Sequence, residues 1–345
     1  GLPIDGDLAY CWASSTMRDP QGRKAMSSFF EFIRRQWFLV ALVLAVSVGL
    51  LASRPLITYA EAGWLRTVLV MVVMFIMSLP MKLQQFVQAV RKPQAAGLAI
   101  LMNYLAMPVI AWPLSWIYTA ETGDGILVAA VTPCTLASAA VWTRRAGGDD
   151  ATALLVTVAT NAACFAVAPF WLWLMLDQGV ATIDGWEMAA RLALLVLVPL
   201  GLAQGLRVLP PIASWGTQHK KQLGIFAQIG ILMMVTLGAA KLGPQLQGSL
   251  SSKIGEWILM TMGVLGLHLV VLMLGWAFSG GLGLARGQRI AVAIAGSQKT
   301  LMVGLLLAID LGVSILPMVT FHLGQLFVDT LIADRWARQG ASVEK

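Results

Sequence analysis

The sequence predicts an all-α polytopic membrane protein with ten transmembrane helices in two inverted five-helix repeats, the fourth helix of each being interrupted. Three observations predict it. Apolar runs of about 20 residues, the length needed to cross a bilayer, recur along the whole chain. Of the 345 residues, 58% are hydrophobic and only 12% charged, about half the charged share of a soluble domain. The mean hydropathy is +0.77. Finally, the basic residues collect in alternate connecting segments, as the positive-inside rule requires.

Taken in order, the expected spans are 36–53, 65–81, 95–118, 125–143, 151–176, 188–206, 222–240, 257–280, 290–309 and 313–332. The first runs uncharged from Gln36 to Arg54. The second starts beside Trp64 and Arg66 and stops at Lys82. The third, fifth, seventh and eighth hold no Lys, Arg, Asp or Glu, and the sixth opens beside Arg191. With the N-terminus inside, the inner segments hold Arg18, Arg23, Lys24, Arg34, Arg35, Lys82, Arg91, Lys92, Arg144, Arg145, Arg207, Lys220, Lys221, Arg286, Arg289, Arg335, Arg338 and Lys345. The outer ends hold only Arg54, Arg66, Arg191, Lys241 and Lys253. Miscounting one span would scramble that separation, so ten spans with both termini cytoplasmic are expected. Trp37, Trp64, Trp116, Trp186, Trp257 and Trp336 lie near span ends, as an interfacial belt would. The resulting organisation is a cytoplasmic segment 1–35, a transmembrane domain 36–332 with repeats at 36–177 and 188–332, and a tail 333–345. Residues 1–30 carry no apolar core before a cleavage site, so no signal peptide is expected. The first residue is Gly, which leaves the native start open.

Five spans per half make the second half enter from the opposite side. The fourth span of the first half carries 132-TPCTLAS-138 and that of the second half carries 296-GSQKT-300. Paired interrupted helices in matching positions point to a transporter's central site. The plainer reading is that Pro133 kinks one helix and Gly296 packs against another. Lys299 is the sharpest feature, a lysine about ten residues from the nearer end of its span. A lysine that snorkels to the headgroups is the alternative.

His322, Gln325 and Asp329 share one face of the tenth span. Intramembrane ionisable groups usually serve function, so Asp329 is a candidate partner of Lys299 or proton carrier. It could equally sit at the cytoplasmic water boundary. Asn161 and Thr160 lie close to Thr157 in the fifth span. His268 reads as a lone packed or cavity histidine, and 146-AGG-148 as a tight charged turn. Cys11, Cys134 and Cys164 form no metal or disulfide pattern. No nucleotide-binding loop is present, which argues against ATP-driven pumping. Ser297 and Lys299 could form a Ser–Lys dyad, but no protease motif accompanies them, and no enzyme is expected.

Three stretches, 132-TPCTLASAAVWTRRAGGDDATALLVTVATN-161, 296-GSQKTLMVGLLLA-308 and 321-FHLGQLFVDTLIADRW-336, resemble the bile acid:sodium symporter family of solute carriers, most of all its member 7-like branch. A weaker echo is 74-MFIMSLPMKLQQF-86. The resemblance implies a panel domain facing a core domain in which helices 4 and 9 unwind and cross. It also implies sodium ligands around that crossing. The family's serine after the helix-4 proline matches Ser138, and the asparagine that follows falls on Ala139. A helix-5 threonine matches Thr157, while a nearby serine becomes Ala153. A helix-3 amide matches Asn103. In helix 9 a glutamate falls on Ile294, a glutamine is kept as Gln298, and an asparagine becomes Lys299.

The departures fall where a sodium ion would sit. Na⁺ needs several oxygens, usually one anionic, to replace its water, and a lysine a few Å away would repel it. The expectation is therefore a secondary carrier of a small organic anion, with the sodium site partly lost and Lys299 as the cation surrogate. The expected substrate and ion site is Asn103, Thr132, Pro133, Thr135, Ser138, Thr157, Asn161, Ser297, Gln298, Lys299 and Thr300. His322, Gln325 and Asp329 are the proton or charge partners. No metal and no cofactor is expected, Na⁺ being doubtful. The partners are the anionic substrate and the lipid of a plasma membrane, with no nucleic acid; oligomeric state and substrate identity stay open. Two alternatives remain: sodium-coupled symport by a rearranged site, and a membrane regulator of ion (calcium) homeostasis that carries nothing.

Overall fold

The computed structural model describes residues 37–81, 93–136, 138–176, 184–246 and 250–343. The N-terminal segment 1–35 with Cys11, the end of the 74–86 stretch and the inner basic residues Lys82, Arg91, Lys92 and Lys345 lie outside them. The chain divides into Gly1–Leu44 and Ala45–Lys345. All regular structure among the described residues is helical. In chain order the helices are α1 (Trp37–Leu51), α2 (Ser53–Glu61), α3 (Gly63–Ser78), α4 (Pro93–Ser115), α5 (Ala120–Val131), α6 (Ser138–Arg145) and α7 (Asp150–Met175). Then follow α8 (Gly185–Leu206), α9 (Pro210–Gln218), α10 (Lys220–Leu246), α11 (Leu250–Gly281), α12 (Arg286–Ser297), α13 (Leu301–Leu311) and α14 (Leu316–Val343).

Among the described residues seven helices are long and apolar enough to cross a membrane, or eight if α1 and α2, bent by 99°, count as one span. The expected ten exceed this count for stated reasons. The second expected span is the 16-residue α3, and the fourth is split into α5 and α6, of 12 and 8 residues. Other boundaries moved. The first expected span, 36–53, stops at Leu51, and a separate helix covers Ser53–Glu61, where 54–61 was expected as loop. Pro210–Gln218 is a further short helix that starts on two prolines, where a missing N–H costs nothing. The last helix continues past 332 to Val343. Arg145 holds it there, donating from Nε and Nη2 to the two carboxylate oxygens of Asp334 at 2.7 and 2.8 Å.

Packing within the larger unit falls into two groups. Ala60, Leu237 and Ala240 join α2 to α10, with Leu65 and Leu69 of α3 against them. Leu79, Ala203 and Leu223 extend this group to α8 and α9. A separate cluster of Ala146, Leu272, Ile290, Ala293, Ile294, Ala333 and Trp336 ties α6, α11, α12 and α14 together. Within the span Arg286–Leu311 every residue from Ile290 to Ile309 is buried, unlike in the other six long spans. A surrounded span can carry polar side chains and a broken backbone, because protein rather than lipid faces them.

The turn between α6 and α7 shows why 146–150 reads as it does. Gly147 has φ +75°, open to glycine at no steric cost. Asp149 caps α7, accepting from the N–H groups of Ala151 and Thr152.

Candidate functional site

Two breaks meet, the second of them inside the buried span. Helix α5 ends at Val131 and α6 begins at Ser138; α12 ends at Ser297 and α13 begins at Leu301. Pro133 has no N–H to continue the ladder, and its carbonyl accepts from Thr300 N at 2.9 Å, joining one break to the other. Gly296 and Ser297, expected in the break, are helical, and the second break is Gln298–Thr300.

Side chains satisfy the backbone that the breaks expose, as burial demands. Asn161 Nδ2 donates to Cys134 O at 2.8 Å, and Cys134 N donates to Thr160 Oγ1 at 3.2 Å. Thr157 Oγ1 donates to Thr135 O at 3.1 Å. At the second break Gln325 acts as a two-sided clamp: its Oε1 accepts from Lys299 N and its Nε2 donates to Lys299 O, both at 2.8 Å. His322 Nδ1 lies 2.8 Å from that same Nε2.

Lys299 is completely buried. Its Nζ donates to Asn103 O at 2.7 Å, Thr132 O at 2.8 Å and Asn103 Oδ1 at 3.1 Å, and lies 5.7 Å from the centre of the Tyr104 ring. Three oxygens that can only accept match the three N–H bonds of an ammonium. Each has a structural origin. Thr132 is the C-cap of α5, where carbonyls lack helical partners and the helix dipole favours a cation. Asn103 O is freed by a π-bulge at Met102–Ala106: Met107 N–H bonds Met102 O instead, and Pro108 has no N–H. The next carbonyl, Tyr104 O, is likewise released by Pro108 and accepts from Trp171 Nε1 at 2.7 Å. Asn103 Nδ2 returns to the break, donating to Gln298 O at 2.9 Å.

Gln298 has extended backbone, φ −77° and ψ 144°, so its side chain and that of Lys299 leave in opposite directions. That separates Lys299 from Asp329, the partner considered for it. Gln298 Oε1 accepts from Thr135 Oγ1 at 2.6 Å and Ser138 Oγ at 2.9 Å, and Nε2 donates to Asp329 Oδ2 at 2.5 Å. Asp329 is fully buried. Its other oxygen lies 3.0 Å from His268 Nε2, and His268 Nδ1 lies 3.2 Å from Ser297 O. His268, expected as a lone packed or cavity histidine, is packed but not lone: it joins α11 to α12 and α14. Ser297 Oγ donates back to Ala293 O at 2.8 Å in its own helix, so it and Lys299 form no dyad. Among the described residues no group of His, Cys, Asp and Glu is placed to hold a metal ion.

A family model, the SBF-like CPA transporter family, matches residues 36–338. The chain is 27% identical over 242 residues to "Probable sodium/metabolite cotransporter BASS4, chloroplastic" of Arabidopsis thaliana, covering 64% of this chain and 53% of that protein. It is 26% identical over 224 residues to "Putative symporter YfeH" of Escherichia coli, covering 63% of this chain and 66% of that one. The chain thus spans about half the length of the Arabidopsis relative. The family match agrees with the resemblance carried by the three quoted stretches, and with the apolar helices it makes the protein an integral membrane protein. On these grounds the chain belongs to the SBF-like CPA transporter family.

Proposed function

We propose that this chain is a secondary carrier that moves a small organic anion by alternating access, with Lys299 in place of a coupling cation. One observation carries the reading: the Lys299 ammonium fills a three-oxygen cage where the two breaks meet. Such a cage of carbonyl and amide oxygens is also what a desolvated monovalent ion needs, and the chain has put its own charge there. In this reading α5–α6 and α12–α13 are the fourth and ninth helices of a ten-helix inverted repeat. The starts of α6 and α13, Ser138 and Leu301, turn the positive ends of two helix dipoles toward the breaks, which favours an anion. Thr135, Ser138, Gln298 and Thr300 are the substrate-facing groups, and Asp329 with His268 carries the proton if transport is proton-coupled.

Sodium-coupled symport by a rearranged site is the alternative, raised by the name of the Arabidopsis relative. Uptake of labelled small carboxylates by purified protein in liposomes separates the two. With Na⁺ and H⁺ gradients imposed in turn, replacing Na⁺ by choline is expected to leave uptake intact. A steep Na⁺ dependence would overturn the surrogate.

The proposed location is the plasma membrane, with both termini cytoplasmic. The charge groups lie apart in a way that supports this: Arg286 and Asp310 stand at opposite ends of one span. Arg145 pairs with Asp334, two residues before Trp336, whose carbonyl accepts from Arg286, while Arg66 and Arg191 meet Asp310 at the other end. Cysteines placed singly at 184, 145 and 220 should be labelled from outside intact cells at 184 alone. Labelling at 145 or 220 would reverse or break the topology.

A further inference from the structure

At the end of α13 farthest from the breaks, Asp310 receives two guanidinium groups. Arg66 Nη2 of α3 lies 3.3 Å from Oδ1 and Arg191 Nη1 of α8 lies 2.9 Å from Oδ2. The Asp310 side chain is 8% exposed and that of Arg66 10%. Arg66 also donates to Ala60 O at the end of α2, and its Nε, buried, has no partner. Lys241 of α10 adds a further positive charge that acts on Asp310. All the cations come from the group formed by α2, α3, α8 and α10, and the carboxylate from the buried span on the other side. Below them a crevice between α8 and α13 is lined by Met188, Leu192, Leu306, Leu307 and Leu311.

We infer that Arg66 and Arg191 form a carboxylate-binding site, occupied in this closed arrangement by the chain's own Asp310. Two guanidiniums, each on a separate oxygen, are the way a protein holds a planar carboxylate. Here the carboxylate is tethered, so the site doubles as a clasp between the two helix groups. When α13 moves away the arginines are vacated, and a free carboxylate takes the place of Asp310. The movement is tied to the breaks, because α13 is a single helix of 11 residues, about 15 Å long, that starts beside Lys299. That the incoming carboxylate is the transported one rests on the carrier reading; the existence of the site does not.

The test is chemical rescue, and it needs no transport. A Leu307→Cys reporter is placed in the crevice with Cys11 replaced by Ser, and its labelling by a water-soluble maleimide is read against the protein without the reporter. In this reporter protein, Asp310→Ala should raise the labelling rate about tenfold, which is a shift of about 1.4 kcal/mol in the opening equilibrium. Sodium acetate should return it toward the parent value, while sodium chloride at the same concentration should not. Arg191→Gln combined with Asp310→Ala should remove the acetate effect, and Asp310→Glu should label like the parent, with melting temperatures confirming that each variant is folded. Unchanged labelling in Asp310→Ala, or raised labelling that acetate leaves unmoved, would overturn the site. Acetate rescue in a protein that fails to take up any anion would instead leave the site standing and remove the carrier reading.

Discussion

Lys299→Ala is expected to abolish uptake in proteoliposomes and to lower the melting temperature of the purified protein. The substitution removes the one donor that Asn103 O, Asn103 Oδ1 and Thr132 O share. Each buried acceptor left without a partner costs about 1–3 kcal/mol, so a loss of several kcal/mol is expected before any collapse of the cage. A second measurement separates charge replacement from simple loss of packing. If the ammonium substitutes for an ion, the emptied cage should take one, and Na⁺ should raise the melting temperature of Lys299→Ala in proportion to the logarithm of its concentration. The parent, its cage filled, should not respond. Retained uptake in Lys299→Ala together with a sodium-sensitive parent would show that the lysine is not the surrogate.

Gln298→Leu is the second large effect. One amide serves both sides of the crossing: it accepts from Thr135 and Ser138 beside the first break and donates to Asp329 on α14. Leucine has similar size and none of these bonds. Two hydroxyls lose their common acceptor and a buried carboxylate keeps only His268. Loss of a charge-assisted bond inside such a network is worth about 2–3 kcal/mol, and uptake is expected to fall about 100-fold with the protein still folded. Near-parental uptake by this variant would remove Gln298 from the working site.

The breaks were legible because residue type announces them. Pro133 cannot donate, and Ser297 to Thr300 are polar where lipid-facing residues would be apolar. Placing those breaks opposite each other brought Thr132, Gln298 and Lys299 together, whereas Asn103, on another helix, entered only through the family resemblance. What stayed hidden depends on contacts distant in sequence. His268 stands in an apolar run, and only the packing of α11 beside α14 brings it to Asp329, 61 positions away. Arg66 and Arg191 were read as two span ends of like charge; nothing local marks Asp310 as their common partner. Two of the three oxygens on Lys299 belong to the main chain, which every residue has. A reading by side-chain type finds the cation and misses most of its cage. The short α2 follows a sharp bend after α1, and Pro55 sits in its first turn, where proline is compatible with a helix.

Pro108 gives that cage an unusual dependence. Asn103 O is available to Lys299 because the residue five positions on carries a ring in place of an amide hydrogen. Any other amino acid at 108 would bring a donor to a carbonyl already committed to the ammonium, and the helix could close over it. The affinity of this place for positive charge is thus written partly as a missing atom. It is set by a side chain that touches no ligand, one helical turn beyond the amide that does, and a search restricted to ligating residue types would pass over it.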